Sequence, residues 1–198
     1  MNNVTSGLAD VTSLLVLLAV VLNIKIIKQQ NIWYKIFYII VICCASVFIP
    51  IMMGYNLLFL MRGILSDLSI TNMILAGILL IKNLFQLQFK IVDKIFTNLI
   101  VIIGSLLYLS TLGVLPFDIY DLGFAPNIYF LGIFFVVELI LWTYNRLIAW
   151  VWLFAFVVYY FKLQNSINLF DYLIDPILWI SAVILCIWRV TEWKRNTL

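Results

Sequence analysis

Long runs of apolar residues separated by short polar segments are the main pattern of this sequence. Each run is close to the roughly 20 residues that an α-helix needs to cross a bilayer. The pattern therefore predicts about seven transmembrane helices, with six as the alternative. The predicted spans cover residues 8–24, 36–53 with an apolar continuation at 56–61, 68–89, 95–115, two spans within 127–160, and 175–193.

The number of spans depends on residues 127–160, which are too many for one span. Asn145 and Arg146 interrupt this segment, which predicts a tight hairpin of two helices. One tilted helix would place the basic C-terminal cluster outside, against the basic bias of cytoplasmic loops. Within the second span, Pro50 removes a backbone donor, so we expect a kink in its outer half.

Basic residues predict the orientation. An outside N-terminus assigns ten of the twelve basic residues to the inner side, and leaves Arg62 and Lys162 outside. Such a bias is typical of cytoplasmic loops, so we expect a cytoplasmic C-terminus. We place the protein in a membrane, most simply the bacterial cytoplasmic (inner) membrane. The ten are Lys25, Lys28, Lys35, Lys82, Lys90, Lys94, Arg146, Arg189, Lys194 and Arg195.

Composition excludes a soluble fold. Of the 198 residues, 66% are hydrophobic and 11% are charged, whereas soluble domains average roughly 45–50% and about 25%. Seven spans leave no room for a folded aqueous domain. We therefore expect one all-α transmembrane domain over residues 1–198, a polytopic integral membrane helical bundle.

Several chemistries are also poorly supported by the residue types present. His is absent, although it supplies many proton relays, haem ligands and zinc ligands. The three cysteines, Cys43, Cys44 and Cys186, lie in apolar stretches, where a thiol usually acts as a small hydrophobe. Phosphate-binding, dinucleotide-binding and hydrolase motifs do not occur. We expect no metal and no cofactor.

Glu138 is the one acidic residue predicted deep within a span. An ionised carboxylate at that depth is costly and usually faces a bundle interior or a water-filled cavity. It is either a proton or cation ligand, or a structural residue paired with another helix. The candidate partners are Lys82 and Asn98, on the inner halves of other spans.

The segment from Arg62 to Asn72 is the most concentrated polar stretch. On the outer side, Arg62 is suited to a phosphate and Asp67 to a cation, which predicts a lipid headgroup or polar-substrate site. The structural alternative makes Ser66 or Asp67 the N-cap of the third span.

Four further outer aspartates, Asp118, Asp121, Asp171 and Asp175, extend this candidate site. Together with Asp67 they would be able to perform acid–base chemistry or hold a divalent ion if they converge. The structural alternative assigns them to turns and caps. Asp175 followed by Pro176 matches an N-cap and a first helical residue.

Three classes of function follow. The function that needs the fewest specific sequence features is that of a non-catalytic subunit or scaffold of a membrane or envelope complex, and we place it first. A transporter or channel for a small solute or ion would use Glu138, and an enzyme acting on lipid headgroups would use the outer polar residues. The expected partners are the lipid bilayer and a membrane protein or second copy, and not nucleic acid.

Overall fold

The structure, a computed structural model, describes residues 2–48, 50–52, 55–57, 59–60 and 67–197. Apart from one short pair of strands, all regular secondary structure of the described chain is helical, which confirms the all-α class. It divides into two compact units. The first comprises Met1–Ile91 with Leu163–Asn165, and the second comprises Val92–Lys162 with Ser166–Leu198.

The first unit is built on the packing of its first helix against its last. Helix α1 (Asn2–Asn23) contacts the last helix, α4 (Ile70–Leu84), and α3 (Ile32–Phe48) contacts both. Buried apolar side chains, including Leu18 and Leu22 of α1 and Leu75 of α4, form its core. The elements are α1 (Asn2–Asn23), α2 (Lys25–Lys28), α3 (Ile32–Phe48), β1 (Pro50–Met52), β2 (Tyr55–Asn56) and α4 (Ile70–Leu84).

The second predicted span extends less far than expected. Helix α3 ends at Phe48, and Pro50 begins β1, which pairs antiparallel with β2. Proline has no N–H for the helical ladder and restricts the preceding residue to extended conformations. The amide of Asn56 donates to the carbonyl of Val47, 3.0 Å away, and so satisfies part of the helix end. The proline ends the helix instead of kinking it.

The second unit contains the predicted hairpin. Its elements are α5 (Lys94–Thr111), a 3-10 turn (Tyr120–Gly123), α6 (Ile128–Tyr144), α7 (Arg146–Tyr160), α8 (Leu169–Leu173) and α9 (Pro176–Thr197). Asn145 is both the C-cap of α6 and the N-cap of α7, and its side chain accepts from the N–H of Ile148 at 3.3 Å. The predicted break is confirmed. The side chain of Asn145 caps the N-terminus of α7, and its backbone N–H donates to the carbonyl of Leu141 at the end of α6.

Two helix pairs give the second unit its core. Helix α6 packs against α7, and α5 packs against α9. In the first pair the rings of Phe134 and Trp152 stack with centroids 6.3 Å apart. In the second, the indole of Trp179 donates to the hydroxyl of Ser105 at 3.2 Å. An added Cβ at Gly104 would lie 2.5 Å from that indole, so this glycine allows α5 and α9 to approach closely.

By length and composition, Lys94–Thr111 and Pro176–Trp193 are long and apolar enough to cross a membrane. Five shorter apolar helices accompany them in the described chain, at Asp10–Asn23, Ile32–Phe48, Ile70–Leu84, Ile128–Tyr144 and Arg146–Tyr160. A seven-span bundle is therefore not confirmed.

Candidate functional site

Glu138 lies on the buried face of α6. Phe134, Glu138 and Leu141 share this face at helical spacing, and the Glu138 side chain is only 7% exposed. Neither of its carboxylate oxygens has a hydrogen-bond partner among the described residues. Burying a carboxylate without a hydrogen-bond partner destabilises the fold. A ligand, a bound proton or an internal water would compensate the carboxylate of Glu138.

Trp152 of α7 is a second unpartnered polar group in the same hairpin. Glu138 lies seven residues before Asn145 and Trp152 seven residues after it, so the two occupy equivalent levels of an antiparallel pair. Trp152 is 2% exposed, and its indole N–H also has no partner in the part of the chain that is described. A donor and an acceptor therefore lie unpaired at one depth of the hairpin.

The predicted partners of Glu138 are engaged elsewhere. Lys82 belongs to the first unit, where its ammonium donates to the carbonyl of Phe89 and lies 5.3 Å from the centre of that ring. Asn98 shares the second unit with Glu138, and its side-chain oxygen is 3.4 Å from the thiol of Cys186. Neither pairs with Glu138, whose role as a ligand stays a prediction.

Asp171 is part of a hydrogen-bonded network that joins the loops of the second unit. The phenol of Tyr120 donates to its carboxylate at 2.8 Å, and the hydroxyl of Ser166 also donates to it. Asn168 adds a bond from its amide to the carbonyl of Tyr120 at 2.8 Å. Burial, followed by the bond to Asp171, raises the pKa of Tyr120 above its ordinary value. These contacts stabilise a loop and leave little of Asp171 for a substrate.

The remaining aspartates of the second unit lie at turns and caps. Asp118 accepts from the N–H of Tyr120 at 2.9 Å, and Asp175 accepts from the N–H of Leu178 at 2.8 Å, as an N-cap of α9 does. Asp121 lies exposed in the 3-10 turn. Among the described residues, no group of three or more His, Cys, Asp or Glu side chains is placed to hold a metal ion. These positions favour the structural interpretation of Asp118 and Asp175.

The predicted outer segment of the first unit is described only in part. Arg62 and Ser66 lie outside the described residues, while Asp67 accepts from the amide of Asn165 at 2.7 Å. The N-cap of α4 is Ser69, whose side chain accepts from the N–H of Asn72 at 3.1 Å. The cap therefore lies two or three residues beyond the predicted one.

Sequence reasoning missed a polar cavity in the first unit. It has a volume of about 890 Å³ and lies around the C-terminal end of α4, where Lys28, Lys82, Asn83 and Lys90 line it. Lys28 and Lys90 were interpreted only as indicators of topology, and Lys82 also as a candidate partner of Glu138. Asn83 was not identified as a candidate, because its burial arises from packing.

Comparisons with known proteins identify no relative. No protein-family model matches the sequence, and searches of characterised proteins and of solved structures find no significant similarity.

Proposed function

We propose that the chain is a multi-pass protein with seven spans, an outside N-terminus and a cytoplasmic C-terminus. Helix α9 supports this most directly. Between Pro176 and Trp193, all of which are described, Ala182 is the one buried side chain. The exposed residues Ile180, Ile184, Leu185, Ile187, Trp188, Val190 and Trp193 surround the helix at about 100° per residue.

A helix that is apolar on every side is normally a buried core helix or a membrane span. Outside its contact with α5, most of the surface of α9 is exposed, which favours lipid or a partner as the environment of that surface. Helix α6 is similar, with Ile133, Val136 and Leu139 exposed. Four of the five shorter apolar helices fall within predicted spans, and the fifth, Ile32–Phe48, overlaps the predicted span 36–53 but begins four residues before it. The longest of these, with 17 residues, extends about 25 Å, near the lower limit for crossing the hydrocarbon core.

We further propose that the protein is a non-catalytic subunit of a membrane complex. The outer loops of the second unit bond to one another through Tyr120, Ser166, Asn168 and Asp171, which suits a rigid scaffold. The exposed apolar surface of α9 would meet lipid on one side and the partner on the other. The hypothesis of a lipid-headgroup enzyme gains no comparable support, because Asp118 and Asp175 already bond to backbone N–H groups.

Purification from native membranes in mild detergent tests the subunit proposal. We expect a protein partner in fixed stoichiometry. A photo-crosslinking aromatic residue at exposed Trp188 should trap that partner, whereas the same residue at buried Phe134 should not. A monodisperse particle without a partner, together with no cross-link from Trp188, would contradict the proposal.

A second candidate function, proton or cation movement through the hairpin, is favoured by one observation. Both oxygens of Glu138 are buried without a hydrogen-bond partner among the described residues, and so is the indole N–H of Trp152 at the same level of the hairpin. Proteoliposomes containing a pH-sensitive dye test this. Glu138→Gln should abolish a proton flux that Glu192→Gln, a change at the surface pair with Arg195, leaves intact. Equal flux in both variants would remove Glu138 from the mechanism.

A further inference from the structure

The cavity at the end of α4 combines positive charge with amide donors. Lys28, Lys82 and Lys90 line it together with Gln29, Asn83 and Gln86, and none of its lining residues is Asp or Glu. Its volume of about 890 Å³ is in the range typical of small-molecule sites, roughly 300–1,000 Å³. The cavity is therefore large enough for a ligand of more than a few atoms.

Carboxylates of the first unit are too distant to neutralise these lysines. The sequence contains two acids in that unit, Asp10 and Asp67. Asp93 follows Lys90 by three residues, but it belongs to the second unit and its carboxylate already accepts from the N–H of Phe96 as the N-cap of α5. Asp67 precedes the 15-residue α4, whose far end borders the cavity about 22 Å away along the helix. Asp10 lies about 20 Å before the end of α1. Both separations exceed the screening length of about 8 Å at physiological salt.

Two lysines near the cavity already donate hydrogen bonds to backbone carbonyls. Lys35 is completely buried and its ammonium donates to the carbonyl of Asn83 at 2.7 Å, while Lys82 donates to the carbonyl of Phe89. The contact of Lys35 compensates a carbonyl in the last turn of α4, whereas that of Lys82 engages the loop that follows this helix. Lys28 and Lys90 are exposed, and no such bond engages them among the described residues. Their ammonium groups remain for a ligand.

Asn83 distinguishes this cavity from a set of surface lysines. It is 3% exposed, and its side-chain N–H₂ has no hydrogen-bond partner in the described structure. A buried donor without an acceptor destabilises a protein, and an anionic oxygen in the cavity would supply that acceptor. Topology alone explains why lysines lie on one side of a membrane, but it does not explain an unpaired buried amide among them.

We propose that this cavity binds a phosphate group, held by the ammonium groups of Lys28 and Lys90 and by the side-chain amide of Asn83. The volume exceeds what a phosphate ion requires, and Gln29 and Gln86 suit a polar substituent on it. The ligand is therefore a phosphate monoester or diester, either a phospholipid headgroup or a soluble phosphate ester. This inference does not depend on the subunit proposal.

Binding to the full-length protein tests the site, with two probes that separate the sources of phosphate. The first probe is glycerol 3-phosphate added to protein in neutral detergent. The second is phosphatidylglycerol, compared with phosphatidylcholine alone in nanodiscs. The readouts are the affinity for each probe and the shift in unfolding temperature that the probe causes.

Each of Lys28→Gln and Lys90→Gln should weaken binding roughly tenfold, as expected for the loss of a charge-assisted hydrogen bond. Lys94→Gln is the matched control, because Lys94 is exposed, has the same charge, lies on the same predicted side and does not line the cavity. It should change affinity less than about twofold, in line with a screened surface charge.

Asn83→Leu supplies a readout that does not depend on charge. The side-chain N–H₂ of Asn83 makes no hydrogen bond to the described part of the unliganded fold, so this variant should unfold at the same or a higher temperature while binding phosphate more weakly. Binding of glycerol 3-phosphate alone, with this dependence on the variants, identifies a soluble ester, and the same dependence for phosphatidylglycerol alone identifies a lipid headgroup. Binding of both probes with this dependence supports a phosphate site that accepts either source. The proposal is overturned if neither probe binds, or if Lys94→Gln weakens binding as much as Lys28→Gln.

Discussion

Replacing a glycine within a helix by alanine usually stabilises a protein. At Gly104, in the contact between α5 and α9, we expect the same substitution to destabilise it. Gly104→Ala would place a Cβ 2.5 Å from Cδ1 and 2.9 Å from Cγ of Trp179. Carbon atoms pack best at about 3.5–4.0 Å, so the indole would have to retreat by about 1 Å. Its bond to Ser105 and the ring of Tyr108, 4.9 Å away, oppose that movement.

Two opposing effects determine how much Gly104→Ala changes the free energy of unfolding. Overpacking of this kind costs about 1–3 kcal/mol, and a tethered indole favours the upper part of that range. Replacing a helical glycine by alanine contributes about 1 kcal/mol in the other direction. We expect Gly104→Ala to lower the free energy of unfolding by about 1–2 kcal/mol, which shifts the unfolding temperature by roughly 2–8 °C.

Gly132→Ala is the matched control, because an added Cβ at Gly132 of α6 meets nothing within 4 Å. This variant should keep or raise the unfolding temperature, as measured by tryptophan fluorescence in detergent. In a Trp179→Leu background, Gly104→Ala should lose its destabilising effect, since the clashing ring is gone. Equal stabilisation by the two glycine substitutions would refute the close approach of α5 and α9.

Three further predictions concern caps, loops and turns. Asp175→Ala should lower the free energy of unfolding by about 1 kcal/mol, because α9 loses its N-cap, while Asp175→Asn should retain most of it. Tyr120→Phe should cost about 1 kcal/mol at neutral pH. The fold raises the pKa of Tyr120, so the protonated phenol stabilises the folded state. This stabilisation is complete below the ordinary pKa of 10.0 and is lost as the pH rises above that value. The variant should therefore lose less stability in an alkaline titration than the parent protein. Gln86→Gly should raise stability by about 1 kcal/mol, because Gln86 has a φ of 54° that glycine adopts without strain; a denaturant titration checks this sign.

Sequence patterns predicted helix positions well where local chemistry decides them. The break at Asn145 was predictable because an amide at that point interrupts a long apolar run and caps the helix that follows. Pro50 signalled a disturbance, but the return of the chain as β2 depends on Asn56 reaching the end of α3, which no local pattern reveals. The N-cap of α4 is Ser69, two or three residues beyond the predicted Ser66 or Asp67, because neighbouring polar residues are similar cap formers and the sequence does not distinguish between them.

Candidate sites were less predictable, because they depend on which side chains become buried together. Depth in a span identified Glu138, but its lack of a partner follows from the packing of α6 against α7. Spacing alone was not able to show whether the aspartates of distant loops converge, and in the structure Asp171 bonds to Tyr120, 51 residues earlier in the chain. The unpaired amide of Asn83 was invisible in sequence, since an asparagine near a helix end is ordinarily solvated.

The seven-span topology is the central claim, and the accessibility of the C-terminus tests it most directly. A cysteine appended after Leu198, in a chain whose Cys43, Cys44 and Cys186 are replaced by alanine, is probed with a membrane-impermeant maleimide. Leu122→Cys, at an exposed position between α5 and α6, serves as the outside reference. Seven spans predict that Leu122→Cys is labelled in intact cells and that the C-terminal cysteine is labelled only after permeabilisation. Labelling of the C-terminal cysteine in intact cells would contradict the account.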